Sequence, residues 1–209
     1  MKATDTAPGK RKQKAKMNLP NRLTVLRLIM VPVFIAVMVL PDSVVPALVT
    51  GIIGAFLFIT AAVTDMLDGK IARKYGLITD FGKLMDPLAD KMMVFGAMLG
   101  ILLYCADLRY MFVWAALIVM AREMAVTSLR LLTASEGGEV IAAAWLGKVK
   151  TVTQIVCILC VLLEPVILPF PLFAEGHLLS YVTMAAMTFM TLWSGIEYFR
   201  SYAKYLRDM

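Results

Sequence analysis

The sequence predicts an all-α integral membrane protein with six transmembrane helices and a short N-terminal interfacial segment. Hydrophobic residues make up 60% of the 209 positions and charged residues only 17%. Mean hydropathy is +0.78. An ordinary soluble domain carries more charge than this. Six apolar stretches separated by polar connections supply the helices, and nearly all the positive charge falls on one side of that arrangement.

The N-terminal part precedes the first apolar stretch. Residues 1–17 are polar and rich in lysine, and they lack an apolar core followed by a small-residue cleavage site. We therefore expect a basic cytoplasmic tail rather than a signal peptide. Residues 18–209 then form a single transmembrane catalytic domain. Turn and helix-start residues such as Asn18, Pro20 and Thr24 predict a short interfacial segment that leads into the first span, which ends at Leu40.

The next five spans follow from the apolar stretches. They are expected at 44–63, 92–106, 110–121, 151–163 and 178–196. A helix needs about 20 residues to cross a bilayer, and the third, fourth and fifth stretches are shorter than that. Their charged ends must therefore belong to the same helices, inside the protein.

The distribution of positive charge predicts the orientation. With six spans, 20 of the 21 Lys and Arg residues fall on the side of the two termini, and only Arg109 falls on the other side. Positive charge favours the cytoplasmic side of a membrane. Both termini and the connection after span two are thus expected in the cytoplasm. The net charge of +6 then needs no nucleic-acid partner, and none is expected.

An aspartate-rich stretch follows span two. It reads TDMLDGKIARKYGLITDFGKLMDPLADK and carries the pattern D-x2-D-G-x2-A-R-x8-G-x3-D-x3-D. Helical spacing places its first two carboxylates on one helix face and its last two on a face of the next helix. Four converging carboxylates repel one another unless cations neutralise them, and hard oxygen ligands suit Mg²⁺ or Mn²⁺. The members of this acidic group are Asp65, Asp68, Asp86 and Asp90.

A second set of charges lies on spans four and five. Arg122 lies about twelve residues into span four, or ~18 Å from its outer end. An arginine that faces lipid at that depth is costly, so it should line a cavity open to the cytoplasm, with Glu123 as a partial counter-ion. The acidic and the basic residues together could bind two anionic substrates, one through a metal ion and one through Arg and Lys. Lys150 could instead extend toward lipid headgroups. The members of this basic group are Arg122, Arg130, Lys148 and Lys150.

The aspartate pattern resembles, at all eight fixed positions, the signature of the CDP-alcohol phosphotransferases, which are integral membrane enzymes. The segments NLPNRLTVLR, ARE with Arg130, and WLGKVKTVTQ resemble the branch of that family whose acceptor is sn-glycerol 3-phosphate. The resemblance covers roughly residues 18 to 200. It implies transfer of a phosphatidyl group from CDP-diacylglycerol to sn-glycerol 3-phosphate, with release of CMP. It further implies a homodimer in the bacterial cytoplasmic membrane, with two Mg²⁺ or Mn²⁺ ions per active site.

The resemblance also implies residue roles. Asp65, Asp68 and Asp86 would ligate the metal, and Asp90 would complete the site and act as the catalytic base. The basic group would hold the phosphate of the acceptor. The residues expected to bind CDP-diacylglycerol are Asp65, Asp68, Gly69, Ala72, Arg73 and Gly82.

Other functions remain open on the sequence alone. A cardiolipin synthase or a phosphatidylinositol phosphate synthase of the same family would differ only in its basic group. An intramembrane prenyltransferase also uses aspartates and Mg²⁺, but the G-x2-A-R segment and the missing asparagine before Asp65 argue against it. A divalent cation transporter would place its carboxylates at the bilayer midplane, whereas these fall at helix ends. Finally, Gly96-x3-Gly100 could pack helices within the subunit or across a dimer.

Overall fold

The computed structural model describes residues 18–75, 80–135, 145–167 and 177–207. The predicted basic tail lies outside these residues. Within them the chain forms six helices and no strand, and each helix is long and apolar enough to cross a bilayer. This confirms the predicted fold class. The helices are α1 (Leu19–Met38), α2 (Ala47–Tyr75), α3 (Asp80–Tyr104), α4 (Arg109–Ser135), α5 (Trp145–Ile167) and α6 (Leu178–Arg207).

The charged ends of the short apolar stretches are helical, as expected. Helix α3 begins at Asp80, α4 continues to Ser135, and α5 begins at Trp145. Helix α2 likewise continues past its apolar part to Tyr75. The acidic and basic groups therefore sit on the spanning helices themselves, which fixes their directions more firmly than loops would.

The predicted interfacial segment that leads into the first span is continuous with α1. The turn and helix-start residues Pro20 and Thr24 lie in the first turns of that helix. Pro20 lies in the first turn, where backbone N–H groups have no partner within the helix, so its missing N–H costs little. The polar residues at this end of α1 are consequently carried on a rigid helix.

Helix α1 packs against both α2 and α3. A Cβ atom on Gly96 of α3 would lie 2.5 Å from Cγ1 of Val31, and one on Gly100 would lie 2.7 Å from Cε1 of Phe34. The two glycines therefore allow a close approach of α3 to α1 within one subunit, which decides between the two alternatives for the Gly96-x3-Gly100 motif. This packing holds the polar turns of α1 against the aspartate-bearing parts of α2 and α3.

Helices α4, α5 and α6 complete the bundle. Helix α6 packs on both α4 and α5, and α5 packs on α2. Glu164, fully buried near the end of α5, accepts hydrogen bonds from the backbone N–H groups of Leu179 and Ser180 at 2.8 and 3.0 Å. A carboxylate at a helix N-terminus satisfies unpaired donors there and interacts favourably with the helix dipole. It therefore ties the start of α6 to α5.

Candidate active site

A buried arginine of α1 lies between the two carboxylates of α2. Nη1 of Arg27 is 2.6 Å from Oδ1 of Asp65, and Nη2 is 2.5 Å from Oδ2 of Asp68. The Arg27 side chain is only 1% exposed, whereas that of Asp65 is 47% exposed. Asp68 is buried beside the arginine. A buried charge is costly unless it is paired, so Arg27 and these aspartates depend on one another.

Helix α1 also contacts the first aspartate of α3. Oγ1 of Thr24 donates a hydrogen bond to Oδ1 of Asp86 at 2.6 Å. Asp86 is in turn close enough to Asp68 for their charges to interact. Three of the four predicted metal ligands, Asp65, Asp68 and Asp86, are therefore gathered around one face of α1.

The fourth member of the acidic group stands one turn further along α3. The side chain of Asp90 is exposed, and it lies within electrostatic range of Asp65, Arg27, Lys91 and Glu123. Asp90 thus lies between the aspartates of α2 and the charges of α4. A carboxylate that accepts a proton from a substrate must be reachable by that substrate, and this position meets the requirement.

Glu123 of α4 is the centre of a second charged cluster. Its Oε1 accepts a hydrogen bond from Nζ of Lys150 and lies 3.1 Å from Nη1 of Arg122. Nζ of Lys91 is 3.9 Å from Oε2. Three cations from α3, α4 and α5 therefore surround one carboxylate. Lys150 is 5% exposed and points inward, so it does not reach out to lipid headgroups in this structure.

The other members of the basic group lie further from this centre. Arg130 of α4 places its guanidinium over the ring of Tyr198 in α6, 5.5 Å from the centroid. Its Nε is buried and has no hydrogen-bond partner in the described part of the chain. Lys148 is exposed on α5. Arg122 is only 13% exposed, in agreement with the expectation that it faces protein rather than lipid.

The structure describes the surroundings of only some of the expected nucleotide-binding residues. Gly69 is partly exposed on α2, next to Asp68, and Gly82 is buried on α3. Ala72 and Arg73 belong to α2, but their side chains lie outside the described part of the structure. Their roles stay predictions.

Sequence reasoning did not assign Thr24 and Arg27 to the site. The sequence marks Thr24 as a helix-start residue, and it counts Arg27 only as one of the 20 positive charges that predict the orientation. A signal was nonetheless present, because Asn21, Thr24 and Arg27 recur every three residues in an otherwise apolar helix, and all three are buried. Residues at that spacing occupy one side of a helix. A polar stripe on a spanning helix indicates a polar site inside the bundle.

A known protein family matches most of the chain. The family model for CDP-alcohol phosphatidyltransferase matches residues 17–193. The chain belongs to this family. The match includes every member of both charged groups and all of α1 to α5.

Curated relatives of this CDP-alcohol phosphatidyltransferase are bacterial. A protein of Bacillus subtilis (strain 168) named CDP-diacylglycerol–glycerol-3-phosphate 3-phosphatidyltransferase is 42% identical in an alignment of 193 positions that covers 87% of this chain and 93% of that protein. A probable phosphatidylglycerophosphate synthase of Mycobacterium tuberculosis (strain CDC 1551 / Oshkosh) is 38% identical, covering 92% and 83%. A Rickettsia bellii (strain RML369-C) protein with the same name as that of Bacillus is 33% identical, covering 90% and 97%.

CDP-alcohol phosphatidyltransferases generally use a divalent metal, and the acidic group can be tested for one. Among the described residues, no three acidic, histidine or cysteine side chains form a ready metal-binding group. Arg27 instead occupies the space between Asp65 and Asp68. The donors are all carboxylate oxygens, which suit Mg²⁺ or Mn²⁺, and two of them already attract a cation, the guanidinium of Arg27. The chemistry of the site therefore fits a divalent ion.

Proposed function

We propose that this protein transfers the phosphatidyl group of CDP-diacylglycerol to sn-glycerol 3-phosphate and releases CMP. The observation that carries the proposal is that α3 joins two oppositely charged clusters: Asp90 belongs to the acidic group, and the next residue, Lys91, lies 3.9 Å from Glu123. One cluster suits a metal-bound diphosphate, and the other suits a phosphate. The names of the curated relatives support the same reaction.

The acidic group would hold CDP-diacylglycerol through divalent ions. Asp65, Asp68, Asp86 and Asp90 are the proposed ligands of Mg²⁺ or Mn²⁺, two ions per site. When bound, these ions would neutralise charge on the diphosphate and on the departing CMP. Glycine residues beside the carboxylates leave room for the nucleotide to approach the backbone. The nucleotide pocket would be lined by Gly69, Ala72, Arg73 and Gly82.

Asp90 is the proposed general base. The acceptor hydroxyl is a poor nucleophile at neutral pH, and a positioned carboxylate can accept its proton as the oxygen attacks. The new bond forms to the phosphorus that carries diacylglycerol, and the bond from that phosphorus to the CMP oxygen breaks. Because Asp90 is exposed and lies between the two clusters, both substrates can reach it.

The basic group would bind the phosphate of the acceptor. Arg122 and Lys150 already hold a carboxylate, Glu123, which supports their ability to hold an anion. Arg130 and Lys148 would extend the positive surface on either side. An uncharged acceptor would gain little from so many cations. This feature favours glycerol phosphate over phosphate-free alcohols.

We place the protein in the bacterial cytoplasmic membrane as a multi-pass homodimer, with both termini and the active site facing the cytoplasm. The support is the strong asymmetry of Lys and Arg across six spans and the bacterial origin of the relatives. A cation transporter is a poorer fit, because Asp65 and Asp68 lie in the C-terminal part of α2 and Asp86 lies near the start of α3, whereas a transporter places its carboxylates at the bilayer midplane.

Release of labelled CMP from CDP-diacylglycerol tests the proposal. Purified protein in mixed micelles is assayed with glycerol 3-phosphate, inositol phosphate, phosphatidylglycerol or serine, each with Mg²⁺ or with a chelator. We expect release that depends on both Mg²⁺ and glycerol 3-phosphate. CMP release with inositol phosphate or phosphatidylglycerol but not with glycerol 3-phosphate would identify a different acceptor. No CMP release under any condition would reject the transferase function.

A further inference from the structure

We infer that Arg27 is a positioning residue that serves as the built-in counter-ion of the acidic group and makes divalent-ion binding depend on the diphosphate of the substrate. This inference rests on the proposed function, since it concerns the same metal site. It adds a residue that the aspartate signature does not include. It also assigns to Arg27 a part in the coupling between metal and nucleotide that a substrate held through divalent ions would show.

The first support is the position of the guanidinium. Arg27 approaches Asp65 at 2.6 Å and Asp68 at 2.5 Å, on two of the oxygens that a divalent ion would use. A guanidinium presents its N–H groups in a fixed fork and can hold two carboxylates at once. A divalent ion bound by Asp65 and Asp68 would therefore share the negative charge of these carboxylates with Arg27.

The second support is an unsatisfied donor. Nε of Arg27 is buried and has no hydrogen-bond partner in the described part of the chain. A buried N–H without an acceptor is unfavourable. Arg27 thus retains donor capacity beyond what the aspartates use. A diphosphate is rich in acceptor oxygens, and it would supply the partner that this side chain lacks.

The third support is the balance of charge. Asp65, Asp68, Asp86, Asp90 and Arg27 together carry three net negative charges, so the two divalent ions of the proposed site, added alone, would leave one net positive charge around a side chain that is only 1% exposed. The diphosphate brings the negative charge that removes this excess. Metal and nucleotide should then each strengthen the binding of the other by the same factor, as linkage requires.

A purely structural role for the ion pair makes different predictions. Helix α1 is already held by packing against α2 and by the close contacts of Val31 and Phe34 with the α3 glycines. A buried ion pair often adds little stability over an apolar pair of similar size. If Arg27 only joined two helices, its replacement would lower thermal stability and leave the coupling between metal and nucleotide unchanged.

The test measures Mn²⁺ binding by electron paramagnetic resonance of the free ion, on full-length protein in detergent, with and without CDP. In the wild type we expect CDP to lower the Kd for Mn²⁺ about tenfold, within the usual range of coupling. In Arg27→Gln we expect the Kd for Mn²⁺ without CDP to be about tenfold lower than in the wild type. Addition of CDP should then lower the Kd of this variant by less than about threefold. Arg27→Lys keeps the charge and should keep most of the coupling.

Arg22→Gln is the matched control, because Arg22 is an exposed arginine on the same helix, and its binding should match the wild type. Equal Mn²⁺ affinity with and without CDP in the wild type would overturn the inference, even if Arg27→Gln failed to fold. Unchanged coupling in a folded Arg27→Gln would also overturn it. The proposed metal site itself would fail separately, if Asp65→Asn bound Mn²⁺ as tightly as the wild type.

Discussion

The hydroxyl of Thr24 in α1 lies 2.6 Å from Oδ1 of Asp86 in α3. This hydrogen bond joins two helices and fixes the direction of a carboxylate that is one of the proposed metal ligands. Thr24 is itself buried, so the contact is shielded from water. Helix α1 is therefore part of the site and not only a membrane anchor, and its contribution can be measured.

Replacement of Thr24 by valine should impair turnover while preserving the fold. Valine keeps the shape of threonine but cannot donate to Asp86. A hydrogen bond to a charged group is worth about 1.5–3 kcal/mol, and about 1.4 kcal/mol corresponds to a factor of ten. We expect kcat for CMP release to fall about tenfold or more. Thr24→Ser keeps the hydroxyl and should keep most of the activity. A kcat of Thr24→Val equal to that of the wild type would show that the hydrogen bond does not orient Asp86.

Asp90→Asn should abolish turnover with little effect on CDP-diacylglycerol binding. Asparagine has nearly the same size but cannot accept the hydroxyl proton, and loss of a general base typically lowers rates by about 10²–10⁴. The rate of CMP release and the binding of CDP-diacylglycerol are measured on the same preparation. Asp42→Asn, in the turn between α1 and α2, serves as the matched control. Turnover near that of the wild type would reject Asp90 as the base.

Arg122→Ala should chiefly weaken the use of the acceptor. The Arg122 guanidinium lies in the cluster around Glu123, where we place the phosphate of glycerol 3-phosphate. Loss of one charge-assisted contact predicts a rise in KM for glycerol 3-phosphate of about tenfold or more, with a smaller change in KM for CDP-diacylglycerol. Arg109→Ala is the control, because Arg109 is exposed and donates a hydrogen bond to the backbone carbonyl of Leu102. Both KM values of this variant should equal those of the wild type. An unaltered KM for glycerol 3-phosphate in Arg122→Ala would remove Arg122 from the acceptor site.

Local patterns were sufficient to predict the six helices and the positions of the aspartates on them. Hydropathy over about 20 residues identifies a span, and helical spacing places Asp65 with Asp68 whatever the rest of the chain does. The depth argument for Arg122 also depended on its own helix alone. Each of these inferences compares residues that are close in sequence.

The partners of the charged residues could not be predicted in the same way. Arg27 bonds Asp68 across 41 positions, and Lys150 bonds Glu123 across 27. These pairs depend on how closely α1 approaches α2 and on where the packing of α5 against α2, α3 and α6 places Lys150. A count of positive charges treats Arg27 and Lys150 like the exposed Arg22. Only the packing shows that the first two are buried counter-ions.

Gly96→Leu should destabilise the protein more than introduction of leucine at an exposed position of α1. A Cβ atom at position 96 would already lie 2.5 Å from Cγ1 of Val31, so α1 and α3 would have to separate. Overpacking of a tight interface costs about 1–3 kcal/mol. Because that interface also holds Thr24 against Asp86, we expect a lower Tm together with weaker Mn²⁺ binding. Ala36→Leu, at an exposed position of α1, should leave both unchanged, and equal Tm values for the two variants would show that the close approach of α1 to α3 is not required.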